Sequence, residues 1–359
     1  MTRKLWFQLA VGILLSLFII KYFIEVKWIL SPVIIVLKTI FYPLIIAGVL
    51  FYVTVPAQLF LESKKFPRWA SISTIFILIS AAIWVGFSIV GPPIIHQINN
   101  LIENAPAIVN ESTVFVVDLL EKARILPKWL NDAIDAFKDT LTALPAEFGK
   151  WTVSLIQSVF SGALVAILTP FFLIFMLKDH EKLVPFVTKF FSGDTKTWIE
   201  KTLKDIDDVL NLYIRGQILI SSILAILLFI GYSIIGLNFA LLLVVFAFFM
   251  NIIPFIGPWI AFIPALTIAF FQDPIMAIWV SVITLIAQQT DANLITPNIM
   301  GKTLNIHPLT IITILLAAGN IAGLIGILLA VPGYAVGKAI ISNIYEQRVK
   351  IKRTAQKTI

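Results

Sequence analysis

Long apolar runs, separated by short charged segments, fill most of the sequence. Because a helix rises ~1.5 Å per residue and the hydrocarbon core of a bilayer is ~30 Å thick, about twenty apolar residues are enough to cross a membrane. Runs near or above that length cover residues 5–24, 32–54, 69–92, 152–177, 216–236, 238–271, 275–296 and 308–340. The pattern predicts an all-α, polytopic membrane protein with about eight transmembrane helices.

Two of the more polar segments carry apolar residues at steps of four, three, four and three, which places them on one helix face. The first stripe is Leu130, Ile134, Phe137, Leu141 and Leu144, and the second is Ile199, Leu203, Ile206, Leu210 and Tyr213. We expect the first to belong to a helical cap outside the membrane, with a substrate-capturing domain as the alternative. The second predicts an amphipathic helix that runs into the span at 216–236 and packs either on the membrane domain or on another subunit.

The distribution of lysine and arginine predicts the orientation. Residues 178–215 hold seven of these bases, whereas the longer stretch 96–150 holds five. Since basic loops stay in the cytoplasm, 178–215 is expected inside and the stretch from 94 outside. The basic tail at 347–359 is also expected inside, so that both termini are cytoplasmic and the number of crossings is even. We therefore interpret 238–271 as one long, broken crossing, with a re-entrant hairpin as the alternative.

These boundaries divide the chain into six parts. They are a membrane region at 1–93, the external helical region at 94–150, a fourth span at 151–177, cytoplasmic amphipathic helices at 178–215, a second membrane region at 216–346 and the tail at 347–359. Arg3 and Lys4 before the first apolar run resemble the start of a signal peptide, but no small-residue cleavage site follows. We expect an uncleaved first span.

Composition narrows the class of protein further. The chain is 59% hydrophobic and 13% charged, against about 25% charged residues in soluble domains. The net charge of +7 comes from bases beside the apolar runs, so we expect no nucleic acid as a partner. There is no cysteine, which excludes disulfides and thiolate chemistry. No HExxH or GxSxG motif occurs, and we predict no enzyme, no cofactor and no metal site.

One acidic residue lies where a charge is costly. From Gly216 to Gly337 the only charged residues are Asp273, Asp291 and Lys302. A carboxylate at the centre of a membrane helix costs about 2.5–3.5 kcal/mol, so it usually faces the protein interior or a wet cavity. Asp273 stands beside a proline and is expected to cap a loop, which leaves Asp291 as the residue of interest.

Asp291 belongs to a polar cluster. Its other members are Gln288, Gln289 and Asn293, and Asn251 is a further polar residue in an apolar run. We predict that these residues line a path for a solute or an ion. Other interpretations stay open, since Asp291 would also cap a helix end at the bilayer surface with help from Asn298 and Gly301. Asn251 and Asn320 would also form hydrogen bonds between helices.

Prolines and glycines interrupt the membrane helices at two places. Each proline removes a hydrogen-bond donor and disfavours a helical conformation of the residue before it. The first break contains Pro254, Gly257 and Pro258, and the second contains Pro297, Gly301, His307 and Pro308. We predict a hinge at each break. Because histidine titrates near neutral pH, His307 is a candidate for proton coupling, with a role in fixing the turn as the alternative.

The last apolar run is rich in small residues. Gly319, Gly323 and Gly326, with Pro332 after them, predict that another backbone approaches closely. Three purposes stay open for this packing, namely contact between subunits, packing within the chain, and a pore wall without side chains.

Three of these motifs together resemble one family. They are Pro297-Asn298-Ile299-Met300-Gly301-Lys302 followed by Leu304-Asn305-Ile306-His307-Pro308-Leu309, the run from Gly319 to Pro332, and Ile253-Pro254-Phe255-Ile256-Gly257-Pro258. On these residues the chain resembles the autoinducer-2 exporter-like family of bacterial membrane proteins. The order of spans, external region and basic amphipathic region fits that family over nearly the whole chain.

The resemblance implies a homo-oligomer in the bacterial inner or plasma membrane, with a pentamer as the candidate assembly. Members are associated with export of autoinducer-2, and others with sodium/proton antiport. The acidic position is often glutamate in that family and is Asp291 here, which shortens the reach of the carboxylate. The expected function is export of a small polar solute. A Na⁺/H⁺ antiporter and an oligomeric channel-like or scaffold protein without coupled transport are the alternatives.

Overall fold

The computed structural model describes residues 5–25, 27–100, 163–301 and 306–357. Every regular element in these ranges is helical. Five of the described helices are long and apolar enough to cross a membrane, and shorter apolar helices accompany them. The fold is therefore that of an all-α, polytopic membrane protein, as predicted. The predicted external cap beyond residue 100 and the beginning of the fourth span at 151–162 lie outside the described residues.

The helices follow the apolar runs but extend beyond most of them. They are α1 (Leu5–Glu25), α2 (Lys27–Ser63), α3 (Arg68–Val85), α4 (Ala163–Thr188), α5 (Gly193–Ile234), α6 (Ala240–Asn251), α7 (Ile256–Gln272), α8 (Pro274–Thr290), α9 (Thr296–Met300) and α10 (Pro308–Lys357). A π turn follows α3 at Gly86–Val90, and another joins α8 to α9 at Asp291–Ile295. The amphipathic segment and the fifth span form one continuous helix, α5, as predicted.

The third span is longer than the sequence predicts. We expected it to end at Pro92 and Pro93, but the chain stays helical to Asn100. The first π turn lies directly before these prolines. Because a π turn inserts a residue and widens the helix, it accommodates proline rings that would otherwise collide with carbonyls of the preceding turn. The additional turns carry Ile94 and Ile98 into the hydrophobic core.

Helices α6 and α7 form a hairpin. The backbone N–H of Asn238 donates to Gln272 Oε1 (2.7 Å), and Gln272 Nε2 donates to the carbonyl of Gly236 (2.9 Å). The start of α6 therefore lies beside the end of α7. The prediction that 238–271 makes one long, broken crossing is wrong, and the hairpin that was its alternative is present.

A tight turn reverses the chain at the tip of this hairpin. Phe255 has a φ of 64°, in the region that a side chain rarely adopts. Gly257 lies so close to the carbonyl of Met250 that a Cβ would overlap its oxygen. Pro254 lies in the turn and Pro258 in the first turn of α7, where an N–H has no partner within the helix. The two prolines and the glycine together make a reversal rather than a kink.

Helix α10 also folds back on itself. Its helical geometry is lost at Ala322 and at Gly323, which has a φ of 59°. Beyond the break, Gly326 approaches the carbonyl of Ala318 so closely that a Cβ would overlap the oxygen. Residues eight apart are about 12 Å apart along a straight helix, so this contact requires a reversal.

The helices pack around two hydrophobic cores. The smaller lies among α2, α3 and α4 and contains Ala47, Phe51, Val55, Ile75, Leu173 and Leu177. The larger lies among α5 to α10, where Leu224, Leu242 and Leu315 are at most 1% exposed. The extension of α3 belongs to the larger core through Ile94 and Ile98, so α3 connects the two.

Charged segments from distant parts of the chain gather at one end of the molecule. Three polar contacts join them: Arg68 with Glu181 (3.1 Å), Tyr52 with Asp207 (2.8 Å) and Lys201 with Glu346 (2.6 Å). The hydrogen bond and the charge of Arg68 hold the pKa of the Glu181 carboxyl below its usual value. The contacts bring the loop after α2, the first half of α5 and the end of α10 together, which agrees with the distribution of basic residues.

Candidate functional site

A π turn carries the acidic residue of the membrane region. Helix α8 begins after Asp273, whose carboxylate accepts a hydrogen bond from the N–H of Ile275 (2.9 Å) and caps the helix as predicted. At its other end, α8 continues through the second π turn into α9. Asp291 therefore lies within a continuous helical segment and does not cap a helix end. π turns are rare and frequently mark functional sites.

Pro297 explains why the turn widens at this position. The ring of a proline collides with the carbonyl four residues earlier, which here belongs to Asn293. A wider turn moves that carbonyl away, as it does before the paired prolines of the third span. The chain thus stays helical through Pro297. The wider turn places Thr296, five residues after Asp291, on the same face as Asp291.

The carboxylate of Asp291 is half-buried and accepts a hydrogen bond from the hydroxyl of Thr296 at its Oδ1 (2.7 Å). Among the described residues, no basic side chain forms an ion pair with it. Gln288 lies one turn earlier and is half-buried as well. A carboxylate without a basic partner in a membrane helix is a candidate to bind a proton, a cation or a polar group of a solute.

The other two members of the predicted polar cluster lie elsewhere on the helix. Gln289 and Asn293 are exposed, and Asn293 Nδ2 donates to the backbone carbonyl of Gln289 (2.9 Å) and to its side-chain oxygen (3.1 Å). The structure therefore divides the cluster in two. Gln288, Asp291 and Thr296 form the half-buried part, which we call the acidic turn, and Gln289 and Asn293 form an exposed amide pair.

Asn251 lies at the tip of the α6–α7 hairpin, in the larger core. Its backbone carbonyl accepts a hydrogen bond from Gln217 Nε2 of α5 (2.6 Å). Its side chain is buried, and neither amide atom has a hydrogen-bond partner among the described residues. Within those residues, the predicted side-chain hydrogen bond between helices is not formed at Asn251. For Asn320, the hydrogen bond that the structure shows lies within its own helix, where the side-chain amide donates to the carbonyl of Leu316 (2.9 Å).

A polar stripe on α5, which was not among the predicted site residues, contacts this hairpin tip through Gln217. Tyr213, Gln217 and Ser221 recur every four residues and are all buried. The spacing is visible in the sequence, but Tyr213 was assigned to the apolar stripe and the other two lie in a run that is otherwise apolar. Together with Asn251, these residues form what we call the hairpin-tip cluster.

The second predicted break forms the turn that leads into α10. Gly301 ends α9 with a φ of 58°. His307 is exposed, and its Nδ1 accepts a hydrogen bond from the N–H of Leu309 (3.2 Å), while Pro308 is the first residue of α10. His307 thus caps the helix, which matches the turn-fixing alternative. Residues 302–305 of this turn lie outside the described residues.

The small residues of α10 pack within the chain. A Cβ on Gly319 would lie 3.1 Å from the side chain of Ile327 across the fold-back, and Gly326 contacts Ala318 there. Gly323 provides the positive φ of the reversal, and Pro332 is buried further along the helix. Of the three purposes left open by the sequence, the structure shows packing within the chain for Gly319 and Gly326.

Helix α5 contacts the hairpin tip and also the helix that follows the acidic turn. Gly216 packs against α9, where a Cβ would lie 3.1 Å from the side chain of Met300. The next residue, Gln217, holds the hairpin tip. Asp291 and Asn251 share no hydrogen bond in the described part of the chain. No three His, Asp or Glu side chains of the described ranges are grouped so that they could hold a metal ion.

Comparisons with known proteins agree on one family. A family model described as "AI-2E family transporter" matches residues 10–346, a range that includes both fold-backs and the acidic turn. The chain is 34% identical over 355 residues to the Bacillus subtilis protein named "Putative transport protein YueF", covering 96% of each chain. "Putative transport protein YrrI" of the same organism is 33% identical over 96% of this chain and 97% of its own. "Putative permease PerM" of Escherichia coli is 27% identical over 83% of this chain and 86% of its own.

Proposed function

The chain belongs to the AI-2E transporter family, and on this premise we propose that it exports a small polar solute through the membrane region formed by α5 to α10. Its relatives carry the names of transport proteins and a permease, and its helices make it a multi-pass membrane protein. These points support a transporter of the bacterial plasma membrane rather than an enzyme. The solute class and the outward direction are our proposal, with autoinducer-2 as the first solute to test.

The observation that carries this proposal is the environment of Asp291. A half-buried carboxylate in a membrane helix has a hydroxyl as its hydrogen-bond donor and forms no ion pair in the described part of the chain. A structural carboxylate in a membrane helix is expected to be paired with a base, because an unpaired charge is costly. Asp291 therefore supports a role in which a proton, a cation or the solute is bound and released there.

The broken helices support the same assignment. In secondary transporters, binding sites lie where helices are discontinuous, because the freed backbone groups and the helix ends bind the ligand. Here the hairpin tip places the end of α6 beside α5, and α9, which follows the acidic turn, also packs against α5. No nucleotide-binding motif occurs in the sequence, so the proposed energy source is an ion gradient.

Sodium/proton antiport is the second candidate function. The same observation favours it, because a carboxylate that has only a hydroxyl donor can exchange a proton for a sodium ion as the two compete for its oxygens. The two functions differ in what crosses the membrane with each turnover. An assay that follows both the solute and the ions distinguishes them.

We also propose that the protein is a homo-oligomer, with a pentamer as the candidate assembly. The exposed amide pair, Gln289 and Asn293, supports this proposal. Amides on the outer face of a membrane helix are unfavourable against lipid and associate with polar groups of another helix. A channel-like or scaffold assembly without coupled transport would use the same contact, and the absence of gradient-dependent flux would favour it.

The experiment compares the wild type with Asp291→Asn in proteoliposomes. It follows efflux of autoinducer-2 and, by a dye, sodium/proton exchange under an imposed pH gradient. We expect Asp291→Asn to lower the flux by about tenfold or more, which corresponds to at least ~1.4 kcal/mol at the rate-limiting step. Asp273→Asn is the control, since it removes a charge from the same membrane region and asparagine still caps a helix.

Each outcome has a defined meaning. Gradient-dependent efflux that is lost in Asp291→Asn and kept in Asp273→Asn supports the proposal. Ion exchange without efflux, lost in the same variant, transfers the role of Asp291 to the antiporter. Unchanged flux in a well-expressed Asp291→Asn protein removes Asp291 from the mechanism.

A further inference from the structure

We propose that the hairpin-tip cluster binds the hydroxyl groups of a neutral solute. When no solute is present, water molecules occupy the positions of those hydroxyl groups. The cluster consists of Tyr213, Gln217 and Ser221 of α5 and Asn251 at the tip of the α6–α7 hairpin. This inference rests on the proposed transport function and adds a second, uncharged binding site to the path that the acidic turn begins.

The cluster lies deep in the larger core. Ser221 is 0% exposed, Asn251 3% and Tyr213 5%. Residues four apart lie on one face of a helix, so Tyr213, Gln217 and Ser221 form three successive polar steps along α5. The hydrogen bond from Gln217 Nε2 to the carbonyl of Asn251 (2.6 Å) fixes the hairpin tip against the middle step.

Most of the side-chain polar atoms in this cluster have no hydrogen-bond partner in the part of the chain that the structure describes. They are Tyr213 Oη, Ser221 Oγ, and both Asn251 Oδ1 and Asn251 Nδ2. Leaving a buried donor or acceptor without a hydrogen bond costs about 1–3 kcal/mol, and native interiors rarely tolerate it. Several such atoms on facing elements indicate that a polar ligand completes them.

The neighbouring residue shows that this is not a general property of hydroxyl groups on α5. Ser222 donates its hydroxyl to the carbonyl of Ile218 in the preceding turn (2.7 Å). Ser221 has the same opportunity within the same helix, yet its hydroxyl is unpaired and faces the core. The difference is in the side of the helix, since Ser221 shares its face with Gln217 and Ser222 does not.

The chemistry of the unpaired atoms defines the ligand class. Asn251 Nδ2 requires an acceptor and Asn251 Oδ1 requires a donor, while the hydroxyls of Tyr213 and Ser221 accept either. A hydroxyl group of the ligand satisfies both requirements at once. A bare alkali ion leaves Nδ2 without an acceptor, and an anion finds no base in the cluster. Arg215 is on the opposite side of α5 and donates to the carbonyl of Tyr52 (2.5 Å).

The test is an equilibrium binding assay with tritiated ribitol, a neutral polyol, on the purified full-length protein. The variants are Ser221→Ala and Asn251→Leu, with Ser222→Ala as the matched control. Each variant of the cluster loses at least one hydrogen bond to the probe, so we expect about fivefold weaker binding or more, while the control binds as the wild type does. The thermal unfolding of each protein without ribitol is measured in parallel.

Two results would overturn the inference. If the wild type does not bind ribitol but Ser221→Ala lowers the unfolding temperature, the cluster holds structural water only. If Ser221→Ala binds as the wild type does and unfolds at a higher temperature, the cluster is an empty, unsatisfied part of the core. Ribitol binding is measured at equilibrium, without a gradient or net flux, so it can be lost in a variant that keeps efflux and kept in a variant that loses efflux. Failure of this inference and failure of the proposed function are therefore separable.

Discussion

Asp291 keeps its carboxylate in the membrane region with a hydroxyl rather than a base as its donor. A neutral hydrogen bond offsets only part of the cost of removing a charge from water, whereas a basic partner would hold the carboxylate in a permanent ion pair. In our proposal, a carboxylate held by a hydroxyl donor binds and releases a ligand more readily than one held in an ion pair. At the scale of single residues, this is the reason for assigning Asp291 to the transport path rather than to the scaffold.

Thr296 is predicted to be a positioning residue for that carboxylate. Thr296→Val keeps the shape of the side chain but removes the donor to Asp291, and a hydrogen bond to a charged group contributes about 1.5–3 kcal/mol. We expect the initial rate of flux in proteoliposomes to fall by about tenfold or more and to recover in Thr296→Ser. Thr290→Val is the matched control, because the Thr290 hydroxyl donates to the carbonyl of Ile286 on its own helix (2.7 Å). Equal rates in wild type and Thr296→Val would contradict this role.

Local rules predicted single residues well where the partner lies within a few positions. Asp273 beside Pro274 gave a cap, and His307 before Pro308 also forms one. Local rules failed where the hydrogen-bond partner of a side chain depends on which neighbouring helix that side chain faces. Asn320 donates to a carbonyl of its own helix, and the buried side chain of Asn251 has no hydrogen-bond partner among the described residues. Sequence spacing does not contain that information, since both residues are single amides in apolar runs.

At the scale of elements, the two fold-backs are the features that the sequence indicates only in part. The motif of Pro254, Gly257 and Pro258 predicts a break, but a kinked crossing and a hairpin require the same residues. The choice is made by contacts distant in sequence, namely the hydrogen bonds of Gln272 with Asn238 and Gly236. In α10, the apolar run is long enough to cross the membrane, and its glycines are the only sequence feature that points to the reversal at Gly323.

The hairpin tip is predicted to depend on the absence of a side chain at Gly257. A Cβ there overlaps the carbonyl oxygen of Met250, so Gly257→Ala forces the backbone apart. Overpacking of this kind costs typically 1–3 kcal/mol, and we expect about that loss in the free energy of unfolding. Gly333→Ala is the control, since nothing lies within 4 Å of its added methyl group. Unfolding in detergent at increasing denaturant measures both, and equal stabilities would show that the tip does not require glycine.

At the scale of the whole molecule, apolar length and basic residues predicted the class of fold, the continuous α5 and the gathering of charged segments at one end. These features depend on summed hydrophobicity and charge, which tolerate errors at single positions. The arrangement of the site residues was harder to predict from the sequence. Gln289 and Asn293 were grouped with Asp291 by proximity in sequence, although each stands two positions from it and therefore lies on another side of the helix. The hairpin-tip cluster was missed because its members come from two elements.

The central claim is that the face of Asp291 and Gln288 lines a path that water and solute enter. The chain contains no cysteine, so single-cysteine variants are labelled against a clean background. A thiol reacts as its thiolate, which forms in water and not in lipid. The measurement compares the reaction of Gln288→Cys and Ile286→Cys with a charged methanethiosulfonate in proteoliposomes, Ile286 being 61% exposed on the apolar outer surface. We predict that Gln288→Cys is modified and loses flux while Ile286→Cys stays unmodified. An unreactive Gln288→Cys in folded protein would contradict the path.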